Sequence, residues 1–326
     1  MTMPASMTLE LAGWAGTALV IALAVLRAAT PVMYAALGGL LSELSGSINV
    51  ALEGIMLVAA FAGVIGAIHA PAQLPAELLP WWGAAMGLMA ALLLAGLLAV
   101  LHLECGADLI VAGIALNLLA GGLTIFLLAE LVGDKGSTAG IATPALPSLR
   151  IGGLAGLPLL DLLVNGEEGR GHHVLIWAAP FVVGALWLFL CHTRAGAWLR
   201  AAGENPAAAH AAGIPVKRMR YVALLASGAL AGLGGIYLSM GYLTLFQADM
   251  TAGRGFLALA AVFVGRRSLG GVGAAALLFG AAAVVATRLG TSTLPPQLVY
   301  MLPPALTIAV LAVAGWRRRG QRGRQH

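Results

Sequence analysis

Few side chains in this sequence could take part in chemistry, and their spacing narrows what that chemistry is. The densest group lies in Gly38–Gly54, GGLLSELSGSINVALEG, where Ser42, Glu43, Ser45, Ser47, Asn49 and Glu53 interrupt an otherwise apolar stretch. Asn49 and Glu53 stand four residues apart and share one face of a helix. Such a pair serves either a polar solute pathway or the packing of a neighbouring element. Glu43 reads either as a solvated group in a short turn or as one facing the protein interior. Asn117 interrupts the apolar run Leu109–Ala129, and it either lines a pathway or hydrogen-bonds a neighbouring helix. In Gln247–Gly255, QADMTAGRG, Asp249 and Arg254 can pair with each other, meet an outer partner, or stand in solvent. Ser45, Asn49, Glu53, Asn117 and Gln247 are the candidates for a solute pathway. The familiar signatures of catalysis are missing: the sequence holds no GxxxxGK[ST], no HExxH, no GxSxG and no metal-ligand cluster. Cys105 and Cys191 are isolated, without a CxxC, and read as inert small hydrophobes.

The elements that position these groups follow from composition. Of 326 residues 60% are hydrophobic and only 10% charged, where a soluble domain carries about 25% charged residues. A chain this apolar has lipid as its solvent. Its intramembrane charges are too few for a proton relay. The net charge of +5 does not point to nucleic acid. Most basic residues cluster in two polar stretches flanked by apolar runs, Arg194–Arg220 and Arg317–Arg324, the pattern of cytoplasmic loops.

The spacing predicts an all-α, polytopic transmembrane bundle in one domain, 1–326. Apolar runs of sufficient length are Leu9–Leu26, Asn49–Ile68, Trp82–Leu101, Leu109–Ala129, Val174–Cys191, Tyr221–Leu245, Leu269–Thr287 and Gln297–Trp316. Pro31–Ser45 and Phe256–Gly265 are shorter and Gly-interrupted. Placing both basic stretches in the cytoplasm requires an even number of crossings between them, so Phe256–Gly265 must cross, and Pro31–Ser45 likewise. The expectation is about ten spans with both termini cytoplasmic, with eight or nine as the alternative counts. No basic residue precedes Leu11–Leu26, which reads as a retained span rather than a cleaved signal. The segment 133–173 reads as an extracytoplasmic loop with one short surface helix. Two interrupted segments in roughly comparable places point to a transporter with its pathway nearby.

The stretch 193–220 is the cytoplasmic loop of greatest interest, TRAGAWLRAAGENPAAAHAAGIPVKRMR. Asn205 is a good N-cap, Pro206 fits the first helical position and Gly213 fits the stop, giving a helix over Pro206–Ala212. A helix of two turns is unstable alone in water and needs a docking surface. It either lies on the membrane or enters a partner protein.

GGLLSELSGSINVALEG, GENPAAAHAAGI and GRGFLALAAVFVG resemble the permease subunits of bacterial ABC importers for nucleosides, within the wider ribose and branched-chain amino-acid permease group. The resemblance runs in order from Thr30 to Gly315. It implies that Gly203, Glu204, Asn205, Pro206, Ala207, Ala208, Ala209 and Gly213 form the helix that docks on an ABC ATPase subunit. It also implies a second permease subunit, most often a different one, an extracytoplasmic solute-binding protein, and residence in the bacterial inner membrane. ATP and Mg then belong to the partner ATPase, and this chain binds no cofactor and is not an enzyme. The solute expected is a nucleoside, with a ribose-like sugar or a branched-chain amino acid as alternatives, and an ion-coupled secondary transporter as a more distant one. The short basic tail departs from the family and suits contact with anionic lipid.

Overall fold

The computed structural model describes residues 13–134, 136–152, 158–166 and 171–289. It is built almost wholly of helices: α1 (Trp14–Leu44), α2 (Leu52–Ile68), α3 (Leu79–Leu103), α4 (Leu109–Val132), α5 (Pro158–Asn165), α6 (Val174–His192), α7 (Arg194–Glu204), α8 (Pro206–Ala211), α9 (Val216–Tyr237), α10 (Arg254–Val264) and α11 (Leu269–Leu289). Among the described residues six helices are long and apolar enough to cross a membrane; α2 and α10 are apolar but shorter. Apolar side chains such as Leu93, Leu118, Phe126 and Phe181 point away from the bundle, as helices facing acyl chains require. The molecule is a multi-pass membrane protein.

The first finding corrects the expected span count. Leu9–Leu26 and Pro31–Ser45 are not two crossings: from Trp14 onward they form the single helix α1, with Pro31 inside it. Proline removes one backbone donor, which orphans the carbonyl four residues earlier. Here that carbonyl belongs to Arg27, and it accepts the Tyr237 hydroxyl at 3.3 Å. With its orphan satisfied the helix continues, at 31 residues and about 46 Å. The short Ser45–Ala51 turn then leads into α2. The expected span Gln297–Trp316, the basic tail and both termini lie outside the described residues.

α2 forms the centre of the bundle, with most of its residues buried and α3, α4 and α9 packed around it. Small residues allow this approach: a side chain on Gly235 of α9 would run into the Met56 carbonyl of α2.

Contacts distinguish the two ends of the bundle. At one end Gly46, after α1, touches Gly203. There Glu104, after α3, accepts from Lys217 Nζ at 2.7 Å and from the Tyr221 hydroxyl at 2.8 Å. Arg267, before α11, pairs with Glu43 at the same end. At the other end β1 (Ser148–Leu149) and β2 (His172–His173) form a two-stranded antiparallel ribbon pairing Ser148 with His173, and His173 packs edge-on against Tyr237.

The expected crossing at Phe256–Gly265 is the helix α10, and irregular chain leads into it. α9 ends in a π-helical turn, Leu238–Tyr242. The chain then dips inward without regular structure through 243–253, where Thr244, Asp249 and Ala252 have positive φ. Phe246 is fully buried, edge-to-face with Phe61 at 5.2 Å. The loop after α4 covers this dip, with Thr138 exchanging hydrogen bonds with the Phe246 backbone at 2.9 and 3.0 Å.

Candidate functional site

The loop 193–220 contains two helices where the sequence announced one. Thr193 accepts from the Gly196 amide at 3.1 Å and starts α7. The signal was available in the threonine cap and in Leu199 and Ala202, three apart and both buried. Asn205 is extended, which ends α7, and its side chain accepts from the Ala208 amide at 3.0 Å, which starts α8. Pro206 occupies the first turn, and Gly213 leaves the helix at φ +79°. α8 is thus one residue shorter than expected. α9 begins at Val216, so Lys217 to Arg220 belong to a helix rather than to the loop.

Of the residues expected to dock on an ATPase, Glu204, Asn205, Pro206, Ala207, Ala208 and Gly213 are exposed, and Ala209 alone is buried. α8 therefore projects from one end of the bundle. Its base is rigid: a side chain on Gly203 would collide with the Leu44 carbonyl and stand 2.8 Å from the Gly46 amide. The loop that carries α8 is pressed against the end of α1.

Inside the same end the polar residues of the first stretch are brought together. Ser45 donates to the Ser42 carbonyl at 2.7 Å, and Ser42 Oγ accepts from the Asn49 amide at 3.2 Å. Asn49, fully buried, donates Nδ2 to Ser227 of α9 at 3.0 Å and accepts from the Ala51 amide at 3.0 Å. These contacts shape the turn between α1 and α2 and tie it to α9. Asn117 of α4 accepts from the Gly54 amide at 2.7 Å and donates to the Val50 carbonyl at 2.9 Å. It supplies a partner that α2 lacks, since no side chain caps that helix.

Glu53 performs the corresponding task for α10. Its Oε1 accepts from the Gly253 amide at 2.8 Å and its Oε2 from the Gly255 amide at 2.6 Å. α10 has a left-handed glycine at its N-cap and no side chain of its own to cap it. A carboxylate in this position satisfies orphan donors and complements the helix dipole. Because Glu53 also lies in the first turn of α2, one charge serves two helix N-termini. Arg254 donates Nη1 to the carbonyls of Met250 and Thr251. Gln247 is exposed and bridges Ser137 through its backbone.

Two cavities open beyond this junction, toward the other end. A smaller one of 210 Å³ has Arg27, Tyr242, Arg254 and Arg288 in its wall. A larger one of 410 Å³ is lined by Arg27, Asn165, His172, His173, Tyr237 and Tyr242 among others. Ser45, Asn49, Glu53, Asn117 and Gln247 line neither. Sequence reasoning passed over Arg27 and the adjacent histidines, although an arginine inside an apolar run was a usable signal. Burial pushes the His173 imidazole down to about 4, with the Met240 carbonyl opposing the shift, so the ring is neutral at physiological pH.

A family model described as the branched-chain amino acid transport system permease component matches residues 21–311. A guanosine ABC transporter permease protein, NupQ of Bacillus subtilis, is 34% identical over 297 residues, 88% of this chain and 89% of the relative. A nucleoside ABC transporter permease protein, NupC of Lactococcus lactis, is 32% identical over 288 residues, 87% of this chain and 88% of the relative. A glucose ABC transporter permease protein of Haloferax volcanii is 29% identical over 300 residues, 90% of this chain and 77% of the relative. With polar contacts that hold an apolar bundle together and a family match over residues 21–311, the chain belongs to the family of branched-chain amino acid transport system permease components.

Proposed function

We propose that this chain is a transmembrane subunit of an ATP-driven importer that moves nucleosides inward across the bacterial inner membrane by alternating access. The observation that carries the reading is α8, a short helix capped by Asn205, exposed on all but Ala209, and seated on the end of α1 through Gly203. So short a helix needs a partner surface, and an ABC ATPase subunit holding ATP and Mg is that partner. The similarity to guanosine and nucleoside permeases supports the solute. A second permease subunit and an extracytoplasmic binding protein complete the importer.

Orientation follows from charge. Arg194, Arg200, Lys217, Arg218, Arg220, Arg266 and Arg267 gather at the end that carries α8, which makes that end cytoplasmic. α1 then starts outside, and α1, α2, α3, α4, α6, α9, α10 with its irregular lead-in, and α11 give eight crossings.

The test is uptake of labelled adenosine, ribose and leucine by cells with and without the gene, repeated with ATP depleted and ion gradients clamped. Gene-dependent adenosine uptake that vanishes with ATP is expected, and Glu204→Ala, at the end of α7 beside α8, should abolish it while the protein still inserts. Uptake that survives ATP loss refutes the importer, and ATP-dependent uptake of ribose or leucine alone refutes the solute.

A further inference from the structure

The larger outer cavity measures 410 Å³, inside the ~300–1,000 Å³ range of small-molecule sites. Its polar wall is assembled from distant parts of the chain: Arg27 of α1, Asn165 of α5, His172 and His173 of β2, Tyr237 of α9, and Tyr242 of the π-helical turn. Asn165 is spent on its own surroundings, with both its amide groups bonded to the Ile151 backbone and Nδ2 also donating to Asp161. The histidines are not. Each is more than nine-tenths buried; among the described residues His172 Nδ1 has no hydrogen-bond partner, and His173 Nε2 makes no well-formed hydrogen bond, with the Met240 carbonyl near the ring.

Their other nitrogens assign the tautomers. His172 Nε2 lies 2.9 Å from the Leu163 carbonyl, which can only accept, so Nε2 carries the proton and Nδ1 is a bare acceptor. His173 Nδ1 lies 3.2 Å from the Leu175 amide, which can only donate, so Nε2 carries the proton and is a donor. Arg27 adds the donors of its guanidinium. One of its nitrogens and His172 Nδ1 stand 2.9 and 3.9 Å from the point where a side chain on Gly166 would begin, so they face the same space. Two aromatic faces complete the wall, with the Tyr237 and Tyr242 rings 6.4 Å apart.

This set selects a ligand class. Among the described residues no carboxylate lines the cavity, so an amino acid would find no counter-charge there for its ammonium group. A flat heteroaromatic ring uses the tyrosine faces, and a purine with a 6-oxo group presents two acceptors and a ring N–H along one edge. We propose that this cavity is the outer receiving site for the base of a purine nucleoside, with the tyrosines against the ring, Arg27 and His173 donating to its acceptors, and His172 Nδ1 accepting its N–H. The assignment rests on the nucleoside importer reading above.

The test uses the complete importer, with both permease subunits, the ATPase and the binding protein, reconstituted in vesicles. Initial rates give KM for inosine and for purine riboside, which has the same rings and ribose but neither the 6-oxygen nor the ring N–H. His172→Gln keeps a donor for the Leu163 carbonyl and deletes the acceptor. It should raise KM for inosine about tenfold, the worth of one good hydrogen bond, while KM for purine riboside and the maximal rate stay unchanged. Tyr242→Leu, at an exposed position, should raise both KM values. A merely structural role for His172 would move both solutes together. The site is refuted if inosine enters and both variants keep wild-type KM values. If the wild-type importer hydrolyses ATP and moves ribose or leucine but no nucleoside, the solute reading has failed first and this assignment falls with it.

Discussion

Glu53 is the residue on which the junction most depends, and the cost of altering it can be worked out from its contacts. Its two oxygens accept amides of Gly253 and Gly255 at 2.8 and 2.6 Å, and Glu53 is 9% exposed. Hydrogen bonds to a charged group contribute about 1.5–3 kcal/mol each. Glu53→Gln preserves the shape and one acceptor oxygen, but turns an amide toward the second N–H, so donor meets donor. One charge-assisted bond is lost and the other becomes neutral. The expected loss is about 2–4 kcal/mol, roughly a 30- to 700-fold shift in the folding equilibrium. Glu53→Ala removes both bonds and should cost about 3–6 kcal/mol. Neither figure includes the favourable placement of the charge at two helix N-termini, so both are lower bounds on a carboxylate role. The assay is equilibrium unfolding of purified protein in mixed detergent micelles, followed by far-ultraviolet circular dichroism, on wild type, Glu53→Gln and Glu53→Ala. A wild-type unfolding midpoint for Glu53→Gln would refute the claim that this carboxylate holds the start of α10.

Three further outcomes follow from other contacts. Gly203→Val places a side chain against the Leu44 carbonyl, which is backbone and cannot yield; ATPase activity should persist while solute uptake falls at least tenfold, measured as transport per ATP in vesicles. Asn117→Leu strands the Gly54 amide and the Val50 carbonyl and should cost about 2–4 kcal/mol, read by the same detergent unfolding. His173 is held neutral down to about 4 whereas an unfolded histidine protonates near 6.5, so its folded pKa is lowered and the unfolded state binds more protons between those values. Stability should therefore be full above about pH 6.5 and fall by about 3 kcal/mol as pH drops toward 4, a slope that His173→Phe should flatten.

How much of this was legible in the sequence depended on whether a signal was local. The helix α8 was, because Asn205, Pro206 and Gly213 act on their immediate neighbours and define the helix ends without reference to the rest of the fold. The polarity of the Gly38–Gly54 stretch was visible too, but its purpose was not. Asn49, Glu53 and Asn117 spend their hydrogen bonds on Ser227, Gly253, Gly255, Gly54 and Val50, and most of these partners lie far away in the chain. Periodicity says which face a residue occupies, not what faces it. Pro31 misled the span count for the same reason. A proline in an apolar run reads as a break, and only the Tyr237 hydroxyl, brought to the Arg27 carbonyl from the far half of the chain, allows α1 to continue. The larger outer cavity was invisible because its wall is drawn from α1, α5, β2, α9 and the π-helical turn, none of which carries a motif.

The continuity of α1 has a mechanical consequence. Its inner end presents the Leu44 carbonyl to Gly203, one residue before the exposed coupling segment begins. Seventeen residues earlier on the same helix, about 26 Å away, Arg27 stands in the wall of both outer cavities. Had Pro31 broken the helix, a push at the inner end would have been absorbed at the break. Because Tyr237 closes the gap, the proposed docking at α8 would reach Arg27 through a hydrogen-bonded rod. The turn after α1 is tied to α9 through Asn49 and Ser227, and Glu43 ties the same end to Arg267 ahead of α11. α1, α9 and α11 are therefore coupled at the end that carries α8, while the irregular 243–253 segment is held instead by Thr138 and Glu53. A continuous α1 tied in this way to α9 and α11 is what the proposed alternating access requires, because a displacement at the α8 end would then reach the cavity walls without unfolding what lies between.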